Sequence, residues 1–453
     1  MAEILYKRKN NKIVRFSPTS LIVSSFAALV LIGSLLLWLP VSSSDGQSVR
    51  YVDALFTATA ASCVTGLIVV DTGTHWSLFG QIVILCLIQA GGLGIVTLTT
   101  FLYSIMGKKL SLKGMLLAQE SLNYFTFEGV TNMVKNVILA ALGIELVGAV
   151  LLSVSFVPEY GPRGIYMGIF HSVSAFCNAG MDIIGGYKNL VEYNDNPMVL
   201  YTIAILIFIG GLGFIVWKDL YDFRKTRNLY LHTKVVLMMS GFLTAFGAIF
   251  FFIFEHDNPL TMGALSLPEK INAALFHSIS ARTAGFNSLP LNGMRDITKA
   301  ATIMLMFIGA APGSTGGGVK VTTISVLWAA VISQVRGLSN TVILRRRISQ
   351  NIVNKALTIV VLSIGIIVIA AAFLMVLEDA SFIDILFEVV SCFSTAGMST
   401  GITPVSHDIT KALFMLTMFF GRVGPLSFAI ALSIKANRKD ADMVYPEGKI
   451  MVG

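Results

Sequence analysis

Four times along this chain an apolar stretch that opens on phenylalanine closes on glycine: FTATAASCVTG from Phe56, FHSVSAFCNAG from Phe170, FHSISARTAG from Phe276 and FEVVSCFSTAG from Phe387. The closing glycines, Gly66, Gly180, Gly285 and Gly397, are 114, 105 and 112 residues apart. Self-similarity at a near-constant interval marks a repeat architecture, and it restricts the fold before any single residue is weighed. A second glycine follows each copy: Gly91, Gly210, Gly309 and Gly421 come 25, 30, 24 and 24 residues later. Two intervals kept in four copies make chance similarity improbable.

Each copy is too short to cross a bilayer, which takes about 20 apolar residues at about 1.5 Å per residue. Segments long enough do flank every copy. With 55% hydrophobic residues, 13% charged residues and a mean hydropathy of +0.77, an ordinary soluble domain is excluded. The chain reads as a basic N-terminus (1–18), repeat 1 (19–105), repeat 2 (134–217), repeat 3 (235–330), repeat 4 (356–434) and a tail (435–453). Within each repeat a span is followed by a short helix, a glycine turn and a second span: in the first these are Thr19–Leu39, Asp53–Ser62, Cys63–Leu67 and Leu78–Ile105. The second span of repeat 2 reads as Met198–Trp217, and that of repeat 4 as Ala412–Ile434.

Charge sets the orientation. The N-terminus, the loops between repeats (with Lys135 at the edge of repeat 2) and the tail hold 23 Lys and Arg, and the loops on the other side hold seven. The positive-inside rule places both termini in the cytoplasm, so all four repeats run parallel. The same rule accounts for the net charge of +8 without a nucleic-acid partner. Cys63, Cys86, Cys177 and Cys392 make no zinc or disulfide pattern, and Cys63 and Cys177 fall at equivalent positions, three residues before a repeat glycine. His171, His277 and His407 read as loop or helix-end residues rather than a proton relay. No catalytic cluster is present, so an enzyme is not expected.

Irregular backbone at membrane depth is tolerated only where protein buries it or water faces it. Four parallel turns about one axis meet that condition by lining a single pore, where loop carbonyls replace an ion's hydration shell. The short helices would add the partial negative charge of their C-terminal ends. Tight helix-packing loops without an ion are the alternative, and four turns in register weigh against it.

The loops CVTGL, CNAGM, RTAGF and STAGM, in their helix–loop–helix frames, resemble the Trk/Ktr/HKT superfamily of potassium transporters, most closely the bacterial Ktr membrane subunit. The resemblance covers nearly the whole chain. It implies an all-α integral membrane fold: eight transmembrane helices in four parallel helix–pore loop–helix repeats with pseudo-fourfold symmetry. It implies a potassium selectivity filter of Val64, Thr65 and Gly66; Asn178, Ala179 and Gly180; Thr283, Ala284 and Gly285; and Thr395, Ala396 and Gly397. Glycine rather than serine at position 66 points to potassium over sodium. The family further implies a homodimer in a bacterial plasma membrane, seated on a cytosolic ring of ATP/ADP-binding regulatory subunits. Sodium is a possible activator, and no residue shows where it would act. The basic stretches Lys218–Arg227 and Arg336–Arg347 could meet that ring or anionic membrane lipid.

The third repeat departs from the others. Its copy is one residue shorter from phenylalanine to glycine and carries Arg282 at membrane depth, read as a buried tether or as an electrostatic influence on ion binding. Its second span alone is expected to be broken, by Gly309, Ala310, Ala311, Pro312, Gly313, Ser314, Thr315, Gly316, Gly317 and Gly318. This is not a phosphate loop, since no glycine is followed by Lys-Ser/Thr. Pro312 removes a donor and the glycines loosen the backbone. A packing kink is one reading; the family implies an intramembrane gate below the filter. Arg422, at the equivalent place in repeat 4, is expected to latch that loop. Lys320 would add positive charge near the pore or snorkel to the interface.

Together these readings predict channel-like potassium uptake driven by membrane potential, at about 2.3 kcal/mol per charge per 100 mV. The alternative is a secondary transporter coupling potassium to sodium or protons, for which Glu145, inside the first span of repeat 2, is the best candidate carboxylate. Parallel repeats and filter copies without a carboxylate favour the pore.

Overall fold

The computed structural model describes residues 4–7, 13–16, 18–106, 114–115 and 130–424, and they are predominantly helical. The first unit holds α1 (Pro18–Trp38), the short α2 (Tyr51–Ser62), α3 (Leu78–Leu93) and α4 (Ile95–Ile105). The second holds α5 (Val130–Tyr160), the short α6 (Arg163–Phe176), α7 (Pro197–Leu212) and α8 (Phe214–Thr226). The third holds α9 (Leu231–Glu255), the short α10 (Leu267–Ser280), α11 (Asp296–Phe307) and α12 (Val321–Val335). The fourth holds α13 (Gln350–Leu377), the short α14 (Phe382–Ser394), α15 (Ile402–Val405) and α16 (Asp408–Val423). The expected end of the last span, 425–434, and the tail lie outside the described residues, as does part of the N-terminal segment.

Among the described residues α1, α5, α9 and α13 are each long and apolar enough to cross a membrane. The pairs α3–α4 and α7–α8 pass the same test only as bent spans, turning by 91° and 94°. The turning residues are Gly94 (φ 83°, ψ 132°) and Gly213 (φ 91°, ψ 144°), and Gly424 closes α16 in the same conformation (φ 90°, ψ 132°). Only glycine takes up that region cheaply. The expectation that the third unit alone is broken is therefore corrected: Leu78–Ile105 and Met198–Trp217 are not continuous helices either. In composition Gly-Gly-Leu-Gly passes for apolar helix, and the break resides in the backbone angle of its last glycine.

Sequence accounts for the helix ends. Ser77, Asn196 and Ser381 cap α3, α7 and α14 by accepting the backbone N–H three residues on, and Ser266 with Glu269 forms a capping box on α10. The second helix of each unit packs against the short helix of the next: α3 on α6, α7 on α10, α11 on α14, and α16 back on α2. This order closes on itself.

Ion pairs, one buried and one partly buried, fasten two of those four junctions. Lys411 Nζ on α16 lies 2.7 Å from Asp53 Oδ1 on α2, and Lys299 Nζ on α11 lies 2.7 Å from Asp384 Oδ1 on α14. At the α7–α10 junction Tyr201 Oη lies 2.5 Å from Asn272 Oδ1 instead. Removing one partner of a buried pair strands the other charge, at a cost of about 3–5 kcal/mol. Asp53→Asn is expected to lower thermal stability in detergent by that order, and adding Lys411→Met to recover most of it. Equal unfolding temperatures for wild type and Asp53→Asn would contradict this.

Candidate functional site

The short helices α2, α6 and α14 end in the same hydrogen-bonded cap. Thr65 N–H donates to Ala60 O at 2.7 Å, Ala179 N–H to Ser174 O at 2.7 Å and Ala396 N–H to Ser391 O at 2.9 Å, each reaching five residues back. The residue before each donor is left-handed: Val64 (φ 57°), Asn178 (φ 60°) and Thr395 (φ 51°). This is a Schellman turn built without glycine at its usual place. The third copy differs as its missing residue requires. Ala284 N–H donates only four residues back, to Ser280 O at 2.9 Å, and no residue of Arg282–Ala284 has positive φ.

The four closing glycines then meet in a ring. A β-carbon placed on Gly66 would lie 2.0 Å from the carbonyl oxygen of Ala179, one on Gly180 2.1 Å from that of Ala284, one on Gly285 2.7 Å from that of Ala396, and one on Gly397 2.0 Å from that of Thr65. Each glycine thus faces the next unit's carbonyl in the order one, two, three, four, one. All four have positive φ, from 66° to 88°. The 12 residues expected to form a filter are therefore brought together, each loop behind the C-terminal end of a helix dipole.

The second glycine series positions these loops from behind. β-carbons on Gly91, Gly210 and Gly421 would fall within 2.0 Å of the carbonyl oxygens of Ser62, Phe176 and Phe393, so α3, α7 and α16 press on the ends of their own units' short helices. In the third unit Gly309 faces Gly317 O instead. The chain between them is the interruption at 309–318.

That loop touches the second, third and fourth units directly and the first through Arg422. Thr315 Oγ1 donates to Phe176 O at 3.1 Å and accepts from Asn178 Nδ2 at 2.8 Å. Gly317 N–H donates to Thr395 Oγ1 at 3.1 Å, and Gly316 packs against the Thr283 side chain. Ala311 N–H and Thr315 N–H donate to Gly211 O and Gly210 O. Arg422 bridges to the first unit: one guanidinium nitrogen donates to Thr315 O and the other to Gly91 O and, at 3.2 Å, to Gly92 O. Lys320 does not reach outward. Its Nζ turns back on the loop, 2.5 Å from Gly316 O and 3.4 Å from Gly317 O.

Arg282 is buried and donates to Ser240 Oγ at 3.1 Å on α9, tying the third loop to its own unit's first helix. Glu145 is buried behind the second loop, with both carboxylate oxygens 3.1 Å from Gln89 Nε2. His171 lies in the body of α6, correcting the loop or helix-end expectation for it, whereas His277 lies in the last turn of α10, as expected. They are fully buried inside α6 and α10, with Nδ1 of His171 2.8 Å from Met167 O and Nε2 of His277 3.3 Å from Thr302 Oγ1.

Sequence reasoning missed Glu388, whose carboxylate accepts Ser399 Oγ (2.5 Å), Thr400 N–H (3.0 Å) and Thr403 Oγ1 (2.7 Å) and so fixes the chain leaving the fourth loop. It also missed the Asp53–Lys411 and Asp384–Lys299 pairs. A signal for them exists: both aspartates stand 13 residues before a repeat glycine and both lysines 10 before a second-series glycine. In the loop beyond Gly180, burial and the neighbouring Asp71 carboxylate push Asp182 up to about 6.

Residues 3–441 match the family model TrkH, described as cation transport protein. The chain is 41% identical to "Ktr system potassium uptake protein B" of Bacillus subtilis over 99% of its own length and 100% of that protein. It is 38% identical to "Potassium/sodium uptake protein NtpJ" of Enterococcus hirae, covering 97% of this chain and 98% of that one. The fold matches the crystal structure of the potassium transporter TrkH from Vibrio parahaemolyticus with a TM-score of 0.72 at 18% identity, over 94% of this chain and 86% of that one.

Proposed function

Because the chain belongs to the TrkH family of cation transport proteins, a family of multi-pass membrane transporters rather than enzymes, we propose that it is the potassium-conducting subunit of a Ktr-type uptake system. Potassium is the substrate. The observation that carries the reading is the ring in which each of Gly66, Gly180, Gly285 and Gly397 abuts a carbonyl of the next unit. Such a ring presents main-chain oxygens to one axis at the ends of four helix dipoles, as a dehydrated monovalent cation requires. In this reading the chain crosses the membrane eight times in four parallel, pseudo-fourfold units, with both termini in the cytoplasm of a bacterium.

Residues 309–318 act as the gate. They lie against Asn178, Thr283 and Thr395 on the side from which the short helices end, and Arg422 and Lys320 hold their carbonyls. Flux is passive and follows membrane potential. Regulation comes from a cytosolic nucleotide-binding ring beneath a homodimer. A hairpin pairing Val342–Ile343 with Arg346–Arg347 exposes Arg345, Arg346 and Arg347, suited to an acidic partner surface or to anionic lipid. Sodium, named for one relative together with potassium, is an activator in this scheme.

Potassium uptake in cells stripped of their own uptake systems tests the function, with the chain supplied alone and with a Ktr-type regulatory subunit. Growth on low potassium is expected with the pair. No rescue in any combination would overturn the proposal. A pH effect follows from Asp182. As external pH falls from 7.5 to 5.5 it passes the value near 6, Asp182 becomes neutral, and the mouth loses one negative charge. The KM for potassium is expected to rise by about threefold, and Asp182→Asn to show the raised KM at both pH values. A KM in that variant that still shifts with pH would contradict the assignment.

A further inference from the structure

Two of the four short helices carry the run His-Ser-x-Ser after their phenylalanine: His171-Ser172-Val173-Ser174 in α6 and His277-Ser278-Ile279-Ser280 in α10. The first serine of each run ties the helix to its unit's long span. Ser172 Oγ donates to Glu145 O on α5 at 2.6 Å, and Ser278 Oγ to Thr244 O on α9 at 2.8 Å. The second serine holds the loop. Ser174 Oγ donates to Met181 O at 2.7 Å and Ser280 Oγ to Phe286 O at 2.5 Å. Although the third copy is one residue shorter, both hydroxyls find the same place, the carbonyl just past the ring glycine.

Each of these two serines therefore grips its loop on both sides of the ring glycine. The backbone carbonyl of Ser174 accepts Ala179 N–H at 2.7 Å while its hydroxyl donates to Met181 O, and Gly180 lies between. The carbonyl of Ser280 accepts Ala284 N–H at 2.9 Å while its hydroxyl donates to Phe286 O, and Gly285 lies between. The equivalent residue of the first unit is Ala60, which has no hydroxyl. That of the fourth is Ser391, whose carbonyl accepts Ala396 N–H but whose buried hydroxyl meets no partner among the described residues. There the chain is caught further on, through Ser399 and Thr400 on Glu388.

We infer that Ser174 and Ser280 are positioning residues for ion discrimination: each fixes the peptide units on both sides of a ring glycine to one residue of an anchored helix. This rests on the reading of the four-glycine ring as the potassium filter. The carbonyls of Ala179 and Ala284, which abut Gly66 and Gly180, belong to the gripped loops. Sodium is smaller than potassium, and to replace its water the carbonyls must draw closer to the axis. A loop pinned on both sides of its glycine resists that movement, whereas a loop pinned only on the near side can follow it.

Reversal potentials of the full-length protein in a planar bilayer, with potassium on one side and sodium on the other, give the permeability ratio. That ratio does not depend on how many molecules fold, so a hydroxyl that served stability alone would leave it unmoved. Ser174→Ala and Ser280→Ala are each expected to lower the preference for potassium about three- to fivefold. Ser391→Ala, which keeps its backbone carbonyl and loses a hydroxyl that has no partner, is expected to match the wild type. Ser174→Cys retains the side chain with a weaker donor; it should fall in the same direction, and it covers the case in which the alanine variants fail to assemble. A wild-type ratio in the Ser174 and Ser280 variants, or an equal fall in Ser391→Ala, would overturn the inference. Gly66→Ser separates the two levels. A preference lowered there but unchanged in the Ser174 and Ser280 variants overturns this inference alone, and a preference unchanged in Gly66→Ser overturns the filter reading and this inference with it.

Discussion

Replacing Arg422 with glutamine is expected to raise resting potassium flux by about ten- to a hundredfold. The guanidinium spans two units, donating to Thr315 O on the loop and to Gly91 O and Gly92 O on α3. A hydrogen bond from a charged donor contributes about 1.5–3 kcal/mol, and the loop's share of these contacts is lost when it moves. At about 1.4 kcal/mol per tenfold, one such bond sets the stated range. Arg422→Lys should fall between, because an ammonium lacks the rigid fork that reaches two separated acceptors. Flux through purified protein in liposomes, without any regulatory partner, is the measurement. Wild-type flux in Arg422→Gln would show that the loop's other contacts, to Gly210, Gly211, Phe176, Asn178 and Thr395, hold it without the guanidinium.

Alanine at the ring glycines is expected to abolish uptake, by at least about a hundredfold, at three positions and to weaken it less at the fourth. The grading comes from geometry. New β-carbons at Gly66, Gly180 and Gly397 would lie 2.0–2.1 Å from a neighbouring carbonyl oxygen, deep inside repulsive contact, whereas at Gly285 the distance is 2.7 Å. Positive φ adds a cost of about 1–2 kcal/mol for any side chain. The obstructing atom in each case is main chain, which cannot swing aside as a side chain would. The carbonyls themselves must therefore move, and selectivity should fail along with rate. Gly66→Ser is expected to lower the preference for potassium over sodium by about tenfold. Equal losses at all four positions, or an unchanged ion preference in Gly66→Ser, would contradict the ring as the filter.

The ring was legible because one residue type answers two demands. Positive φ and close approach of a neighbouring carbonyl both exclude a side chain, so Gly66, Gly180, Gly285 and Gly397 stand out at regular intervals. The shortened third copy was legible too, and its physical counterpart is a hydrogen bond reaching four residues back instead of five. The bends at Gly94 and Gly213 were not, because a glycine inside an apolar run looks the same whether its φ is negative or positive. Asp53 and Lys411 were hidden by a sequence separation of 358, which only the closing of the ring brings to 2.7 Å. His171 was misplaced because an imidazole in the body of a short helix reads as a helix end when burial is unknown. Arg422 was placed correctly beside the loop by its register with Gly421, but its reach to Gly91 depends on the fourth unit meeting the first.

The central claim is that these four loops conduct potassium passively. The reversal potential of purified protein in a planar bilayer or liposome tests it directly, with a potassium gradient imposed at equal sodium and pH on both sides. The account predicts a potential that follows potassium by about 59 mV per tenfold gradient and does not move when a sodium or proton gradient is imposed at fixed potassium. A potential that tracks sodium or protons under those conditions would contradict it and point to a coupled transporter.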